Sequence, residues 1–458
     1  MAKKNIVEEI AELPAKAVEE TIIGAEIAVA DIGKQEPFRK VKKFWKILGP
    51  GLTTGAADDD PSGIATYSQT GAQYGFQLAW LAAFTFPLMG LVQEMCARIG
   101  LVTGRGLAAN IRSTFPRWVL YLCAGLLFGA NTFNIGADLG ALAKAAQLIK
   151  PEFNYSALVI FFALLCVLMQ IFISYRLYAK YLKYLTLLIL SYIVTAFLVK
   201  DIDWWSVLKS TLVPSVTFTQ EQIILICGIL GTTISPYLFF WQTSQEVEES
   251  IQRNGHRHQE LRVAVTDKEI RNMRIDNWSG MLLSNVVMFF IIIVTGATLF
   301  RNGITNIGTA ADAAAALRPL AGDWAYLLFA LGIFGVGLLG IPVLAGSASY
   351  AISEAFGWKE GLYRNLKEAY AFYGVIIIAM IVGVLLNFVG LDPIKALIYS
   401  AVLNGLVAPI VMVLIVLIGS KKAIMGARVN HPVTTVLGWI ATGLMIITGL
   451  ATIYAIFL

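Results

Sequence analysis

Long apolar runs with almost no charge recur along the whole sequence, and they constrain the fold more than any other feature. Examples are residues 157–173, 184–199 and 375–389. An α-helix needs about 20 apolar residues to cross the hydrocarbon core of a bilayer, where its backbone groups must be hydrogen-bonded internally. Charged residues make up 14% of the 458 positions, against about 25% in soluble globular proteins. We therefore expect an all-α polytopic membrane protein, and the composition excludes a single soluble core.

Hydropathy and turn residues together predict about eleven transmembrane helices. Their predicted limits are 47–72, 76–102, 117–148, 156–175, 181–200, 222–246, 277–300, 323–354, 370–389, 393–419 and 434–457. Residues 1–45 are expected to form a cytoplasmic amino-terminal tail. Residues 46–200 and 222–420 are expected to form two groups of five helices, and residues 434–457 an additional helix.

Lysine and arginine collect in alternate connections between the predicted helices. They are dense before the first helix and after the second, fourth, sixth, eighth and tenth, and sparse in the connections between. By the positive-inside rule the amino terminus lies in the cytosol, and an odd number of helices puts the carboxyl terminus outside. We expect a multi-pass protein of a cell membrane, such as a bacterial inner membrane. The net charge of +5 then reflects topology and indicates no nucleic-acid partner.

Cysteine and histidine give no sign of a zinc, redox or catalytic site. The four cysteines lie in separate apolar segments, without paired spacing, and are predicted to be packing residues. The histidines, His256, His258 and His431, lie in hydrophilic connections. Because no nucleophile and base pair or cofactor motif is present, we expect neither an enzyme nor a bound cofactor, and no obligatory protein partner is evident.

Two predicted helices contain residues that an ordinary lipid-facing helix avoids. The first holds the acids Asp58, Asp59 and Asp60 directly before a proline. The sixth holds Ser235 directly before a proline in the middle of its apolar run. Two interrupted helices about five spans apart are typical of transporters built from two inverted repeats, which bind their substrate at the breaks.

The two prolines leave backbone carbonyl oxygens at the breaks without a hydrogen-bond donor. They cannot donate a hydrogen bond to the carbonyls of Ala57 and Thr232, four residues earlier. At membrane depth such freed carbonyls are predicted to need a cation or water. With the Asp60 carboxylate and the Ser235 hydroxyl, they would form an all-oxygen site, which suits a hard divalent cation.

The three consecutive acids cannot all serve one site in a helix, because successive residues are about 100° apart. Asp60 stands next to the break and is the predicted metal ligand. Asp58 and Asp59 are predicted to line a water-filled approach or to attract cations at longer range. An intramembrane carboxylate without a partner costs at least ~2.5 kcal/mol, so three in succession imply water or a cation nearby.

At these residues the chain resembles the Nramp family of divalent metal transporters. The family pattern is GPG, eight residues, then DPGN; here GPG at 49–51 is followed after eight residues by DPSG at 60–63. The family's Met-Pro-His motif reads SPY at 235–237, and the stretch RIGLVTGRGLA from Arg98 is also similar. The resemblance implies a LeuT-like 5+5 inverted repeat with broken helices 1 and 6, and an ion bound where these helices cross.

Two departures from the family pattern bear on metal selectivity. Gly63 replaces the asparagine of DPGN, and Ser235 replaces the methionine whose thioether favours transition metals. Loss of the sulfur leaves hard oxygen ligands, and the smaller side chains predict a wider pocket. Mg²⁺ dehydrates reluctantly and usually keeps several waters, so such a pocket suits a partly hydrated Mg²⁺. The pattern resembles the Nramp-related magnesium transporters, a branch of the family.

Further departures bear on proton transport. Tyr237 replaces the family's histidine, and of a pair of acids on the third helix only Asp138 remains, since Ala141 takes the second position. The usual proton relay is therefore predicted to be broken. Asp138 could still carry a proton, or it could pair with Lys144. In the tenth helix Asn404 is the polar residue nearest the family's glutamine position, with either a pocket-lining or an interhelical bonding role.

The leading hypothesis is a transporter that moves Mg²⁺, and Mn²⁺ besides, into the cytoplasm by alternating access without obligatory proton coupling. The alternative within the family is a proton-coupled Mn²⁺ or Fe²⁺ symporter. A third hypothesis, an ion sensor or scaffold that keeps the fold without turnover, finds no appended soluble domain to support it. The predicted partners are the metal ion and the lipid bilayer.

Overall fold

The computed structural model describes residues 44–45, 47–173, 175–199, 202–254, 265–307, 313–314, 318, 322–390 and 393–457. The predicted tail, apart from residues 44–45, lies outside these ranges, as do His256 and His258. Residues from Gly49 onward form one compact unit, and the fold below is that unit. Its regular secondary structure, wherever the chain is described, is helical.

The helices follow one another along the chain with short connections. In order they are α1 (Pro50–Asp58), α2 (Pro61–Tyr74), α3 (Trp80–Thr103), α4 (Leu107–Thr114), α5 (Arg117–Ile149), α6 (Tyr155–Phe172), α7 (Tyr175–Leu185), α8 (Leu190–Leu198), α9 (Trp204–Leu212), α10 (Gln220–Thr233), α11 (Pro236–Asn254), α12 (Asp267–Thr298), α13 (Asp323–Phe356), α14 (Tyr370–Leu386), α15 (Pro393–Ser420), α16 (Lys422–Met425) and α17 (Pro432–Phe457).

Nine helical stretches within the described ranges are long and apolar enough to cross a membrane. Two predicted spans fall outside this set for simple reasons. Helix α14 has only 17 residues, and the first predicted span is divided into α1 and α2. With these two added, the structure has a helical counterpart for each of the predicted spans. The prediction of an all-α polytopic protein is confirmed.

Both predicted helix breaks are present. The first helix ends at Asp58 and resumes at Pro61, and the sixth ends at Thr233 and resumes at Pro236. Proline is well suited to the first position of a helix, because its φ angle is already helical and its missing N–H has no partner there. Each proline therefore starts a new helix and cannot continue the old one.

The boundaries differ from the prediction where polar residues extend a helix beyond its apolar run. Helix α12 begins at Asp267 and not at 277, because the Thr266 and Glu269 side chains form a capping box at its start. The fifth predicted span is divided by a 3₁₀ turn at Thr186–Ile189. Helices α4 and α9, in the connections, were not predicted.

The amino-terminal half of the broken first helix is fixed tightly against α12. A Cβ atom at Gly51 or Gly55 would collide with the α12 backbone, so only glycine permits this approach. The Asp276 carboxylate accepts the N–H groups of Gly49, Gly51 and Leu52 at 2.7, 2.7 and 3.0 Å. These bonds give acceptors to backbone N–H groups that have no partner within the helix, because they lie in its first turn. The GPG sequence thus anchors α1 and sets the position of the break.

The cysteine prediction is confirmed. All four thiols are buried and unpaired, at Cys96, Cys123, Cys166 and Cys227. His431 lies in the connection before α17, as predicted.

Candidate metal centre

The two oxygens of the Asp60 carboxylate accept hydrogen bonds from different parts of the structure. Oδ1 accepts the Gly63 N–H at 2.9 Å and the Ser62 hydroxyl at 2.6 Å, so it caps the start of α2. Oδ2 faces other helices and accepts the Asn134 amide of α5 at 2.8 Å and the Tyr237 hydroxyl of α11 at 3.3 Å. Three donors therefore fix this carboxylate, and the Tyr237 hydroxyl, whose single proton is shared with the closer Ala57 carbonyl, approaches it where α2, α5 and α11 meet.

Hydroxyl groups satisfy the carbonyls that the two breaks set free. Tyr237 donates to the Ala57 carbonyl at 2.8 Å. The Ser235 hydroxyl lies 2.6 Å from the Gly231 carbonyl and 2.7 Å from the Thr232 carbonyl. The expectation that only a cation or water would fill this role is therefore wrong for this structure, because each break brings a hydroxyl within reach. A carbonyl has two lone pairs, so both can still accept a further partner.

The space beside Gly63 is filled. A Cβ atom there would lie 3.0 Å from the Thr232 hydroxyl, 3.1 Å from the Asp58 carbonyl and 3.4 Å from the Tyr67 ring. The Thr232 hydroxyl itself lies 3.4 Å from the Asp58 carbonyl, across the two breaks. The predicted wider pocket is thus absent here, because neighbouring groups occupy the volume that asparagine would take.

The centre is closed to solvent in this structure. Asp60, Ser235 and Tyr237 are 0% exposed, and Thr232 is 1% exposed. Residues of α2, α5 and α11 contact the carboxylate, and Gly340 of α13 lies against the Asp60 Cβ, so an ion can reach the carboxylate only after these helices move apart. The structure therefore places the predicted ligands Ala57, Asp60, Gly63, Thr232 and Ser235 together in one occluded position.

Asp58 and Asp59 turn toward α12 instead of toward Asp60. The Ser284 hydroxyl of α12 lies 2.6 Å from Asp58 Oδ2 and 3.3 Å from Asp59 Oδ1. Among the described residues, no three Asp, Glu, His or Cys side chains converge on one point. The centre at Asp60 is accordingly one carboxylate surrounded by backbone and hydroxyl oxygens.

Asp138 is buried next to the centre, and the backbone N–H of Ser62 interacts with its carboxylate at longer range than a well-formed hydrogen bond. Asp138 lies one turn after Asn134 on α5, is 0% exposed, and interacts electrostatically with Asp60. Neither of its oxygens accepts a well-formed hydrogen bond from the described residues. The ammonium group of Lys144 lies over the Tyr155 ring, 5.3 Å from its centre. The alternative of an ion pair between Asp138 and Lys144 is therefore wrong.

Asn404 is also buried, at 1% exposure, on α15. Its side-chain amide has no hydrogen-bond partner within the part of the chain that the structure describes, so the interhelical bond is not formed. Helix α15 lies directly against α10, because a Cβ atom at Gly231 would collide with the Ala401 carbonyl. A pocket-lining role for Asn404 stays a prediction.

Sequence reasoning missed three side chains that contact the acids. Ser62 and Asn134 contact Asp60, and Ser284 contacts Asp58 and Asp59. Asn134 had a detectable signal, since it precedes Asp138 by four residues and must share its helix face. Ser284 had none, because its contact depends on how α12 packs against α1.

A separate cavity of about 820 Å³ opens farther along α11. Its lining includes Ser244 and Glu248, which follow Pro236 by about 12 and 18 Å along the helix axis. Glu360, in the loop after α13, also lines it. Burial and the nearby carboxylates of Glu354 and Glu248 raise the pKa of Glu360 to about 10.

Sequence comparison places the chain among metal-transport proteins. Residues 51–455 match the family described as "Nramp: Natural resistance-associated macrophage protein-like". The divalent metal cation transporter MntH of Caldanaerobacter subterraneus is 25% identical over 423 residues, which cover 90% of this chain and 93% of that protein. MntH of Clostridium acetobutylicum is 24% identical over 428 residues, which cover 92% and 93%.

Structure comparison gives the same fold. A point mutant of the Eremococcus coleocola manganese transporter superposes with a TM-score of 0.67 at 20% identity, covering 90% of this chain and 86% of that one. MHP1, a nucleobase-cation-symport-1 family transporter in a closed conformation, superposes with a TM-score of 0.56 at 14% identity, covering 89% and 91%. At these identities the likeness concerns the fold alone.

Proposed function

This chain belongs to the Nramp family, and we propose that it is a membrane transporter that moves Mg²⁺, and also Mn²⁺, into the cytoplasm. Transport does not require a coupled proton. The general class, a divalent metal cation transporter, is supported by relatives of that name that align over at least nine-tenths of both chains. The choice of ion and the absence of coupling rest on the site.

The observation that carries the proposal is the position of Asp60. Its carboxylate lies where two broken helices meet, close to the carbonyl of Ala57, and the Tyr237 hydroxyl that now lies between these two oxygens would be displaced by a bound ion. Carboxylate, carbonyl and hydroxyl oxygens are the ligands of hard divalent cations. A single fixed carboxylate binds such an ion weakly enough to release it, as transport requires.

Mg²⁺ is favoured because the surroundings can accept hydrogen bonds from its waters. Asn134 Oδ1 is buried without a donor among the described residues, and the Asp138 carboxylate forms no close hydrogen bond there beyond a long-range interaction with the Ser62 backbone N–H, so both groups can accept further hydrogen bonds. A partly hydrated Mg²⁺ presents water hydrogens outward, and these acceptors would bind them. Ser235, in place of the family's methionine, supplies no sulfur, so nothing at this position favours softer metals.

The absence of obligatory coupling is inferred from the surroundings of Asp138. At the position where the family has a second acid, Ala141 packs with Ala65 and Leu397 in a small apolar cluster. Tyr237 replaces the histidine that would titrate near neutral pH. A cytosol-negative potential alone favours uptake of a doubly charged ion by about 4.6 kcal/mol per 100 mV. No co-ion is needed for net uptake.

The route inward would use the cavity along α11. Arg105 and Arg428, which line it, belong to connections that the positive-inside rule assigns to the cytosol. An ion released from Asp60 would then follow α11 past Ser244 toward this cavity. In an alternating-access cycle the occluded form described here lies between the outward-open and inward-open forms.

The alternative is a proton-coupled Mn²⁺ or Fe²⁺ symporter. One observation favours it: Asp138, buried beside Asp60 without a cationic partner among the described residues, is a group that a proton could neutralise. The two proposals differ in whether protons accompany the metal.

Flux in proteoliposomes tests the proposed function. The chain and the variants Asp60→Asn and Glu152→Gln are reconstituted in equal folded amounts, and uptake of Mg²⁺ and Mn²⁺ is measured with the lumen negative. Glu152 is an exposed carboxylate between α5 and α6 and serves as the matched control. We expect uptake by the wild type and the control, and at least a hundredfold loss in Asp60→Asn. Equal uptake by Asp60→Asn would overturn the assignment of the centre.

A further inference from the structure

A second pair of carboxylates, outside the centre at Asp60, converges on one hydroxyl. Asp58 Oδ2 lies 2.6 Å and Asp59 Oδ1 lies 3.3 Å from Ser284 Oγ. Both acids are 0% exposed. Consecutive residues of a regular helix would point about 100° apart. They converge here because α1 ends at Asp58, and Asp59 adopts φ −84° and ψ 38°, outside the helical geometry.

The hydrogen bonds that the structure offers leave most of these oxygens unsatisfied. The Ser284 hydroxyl has one proton, so it donates to only one of the two carboxylates. Asp58 Oδ1 and Asp59 Oδ2 are buried and have no hydrogen-bond partner among the described residues. The Tyr192 hydroxyl, which interacts electrostatically with Asp59, is likewise unpartnered there. Buried carboxylate oxygens without protein donors are available to bind a cation or a water molecule.

We propose that Asp58, Asp59 and Ser284 form a second divalent-cation site, separate from the centre at Asp60. Two carboxylates carry the charge that one divalent ion neutralises, and carboxylate and hydroxyl oxygens are hard ligands. The inference rests on the proposed function, because the ion held here would be the transported one. Asp59 of one site and Asp60 of the other are consecutive residues, so an ion at one site repels an ion at the other. Mutual repulsion of this kind speeds release of the leading ion.

Counting bound ions tests the second site. Purified full-length chain in detergent is equilibrated with saturating Mn²⁺, and metal per chain is measured by elemental analysis. We expect two Mn²⁺ per wild-type chain, one in Asp58→Asn/Asp59→Asn, and one in Asp60→Asn. Glu246→Gln is the matched control, because Glu246 is another buried carboxylate, paired with Gln242 at 3.0 Å. It should keep two ions.

The outcomes separate failure of this inference from failure of the proposed function. One ion in the wild type that persists in Asp58→Asn/Asp59→Asn and disappears in Asp60→Asn would overturn the second site and leave the first intact. Two ions in Asp60→Asn would overturn the centre at Asp60. If the double variant does not fold, Ser284→Ala replaces it: we expect two ions still, with the affinity of one lowered about tenfold. Two unchanged affinities in Ser284→Ala would also contradict the second site.

Discussion

The Tyr237 hydroxyl lies 2.8 Å from the Ala57 carbonyl oxygen and 3.3 Å from Asp60 Oδ2, so one phenol joins the two broken helices. An ion that uses the Ala57 carbonyl and the Asp60 carboxylate must compete with this hydroxyl. A net hydrogen bond of this kind contributes about 1 kcal/mol. Tyr237 therefore stabilises the occluded arrangement at the expense of ion binding.

Tyr237→Phe should strengthen Mg²⁺ binding. Loss of the competing hydrogen bond, about 1 kcal/mol, should lower the apparent KM for Mg²⁺ about fivefold. The measurement is the concentration dependence of Mg²⁺ uptake in proteoliposomes, with thermal unfolding as a check on folding. A raised KM would mean that the hydroxyl is a ligand of the ion and not its competitor.

Asn134→Leu should weaken Mg²⁺ transport by releasing Asp60. The amide of Asn134 fixes Asp60 Oδ2 at 2.8 Å, and a hydrogen bond to a charged group contributes about 1.5–3 kcal/mol. We expect kcat/KM for Mg²⁺ to fall at least tenfold. Asn131→Leu is the matched control, because Asn131 donates to the Leu344 carbonyl from the same helix. Asn131→Leu should lower the unfolding temperature and leave kcat/KM for Mg²⁺ unchanged. Equal losses of kcat/KM in the two variants would refute a specific role for Asn134.

Ser235→Met should shift selectivity toward soft metals. The thioether binds Cd²⁺ and Mn²⁺ better than Mg²⁺, and a tenfold shift needs only about 1.4 kcal/mol. Ser235→Ala separates the two effects of the change, because it removes the hydroxyl without adding sulfur. Inhibition of Mg²⁺ uptake by Cd²⁺ is the measurement. If Ser235→Ala and Ser235→Met are inhibited equally, sulfur at this position does not set selectivity.

Topology can be tested at the carboxyl terminus. The alternation of basic connections predicts that it lies outside the cytosol, on the side opposite the connection between α11 and α12. An alkaline phosphatase fused after Leu458 should be active, and the same enzyme inserted between α11 and α12 should be inactive. Reversal of the two activities would invert the direction assigned to the cavity along α11.

The helix breaks could be predicted from the sequence because their cause is local. Pro61 and Pro236 cannot donate the backbone hydrogen bond that continues a helix, and both halves restart at these residues. The capping role of Asp60 is equally local, since its acceptor bonds reach Ser62 and Gly63.

The remaining features of the site depend on packing between distant segments. Tyr237 reaches the Ala57 carbonyl, and Ser284 reaches Asp58, only because separate helices come together. The filled space beside Gly63 has the same origin, since Thr232 belongs to α10. The convergence of Asp58 and Asp59 on one hydroxyl could not be predicted from the helical period, because α1 has already ended at Asp58 and Asp59 is not helical.

Simultaneous measurement of Mg²⁺ uptake and luminal pH tests the central claim most directly. Liposomes carry the folded chain in their membrane and hold a Mg²⁺ reporter and a pH-sensitive dye in the lumen. A membrane potential that is negative inside is applied, and Mg²⁺ is added outside. Liposomes with Asp60→Asn serve as the blank. We predict that luminal Mg²⁺ rises while luminal pH stays at the level of the blank. Mg²⁺-dependent acidification of the lumen in the wild type would contradict uncoupled transport, and Mn²⁺ uptake without any Mg²⁺ uptake would contradict the choice of ion.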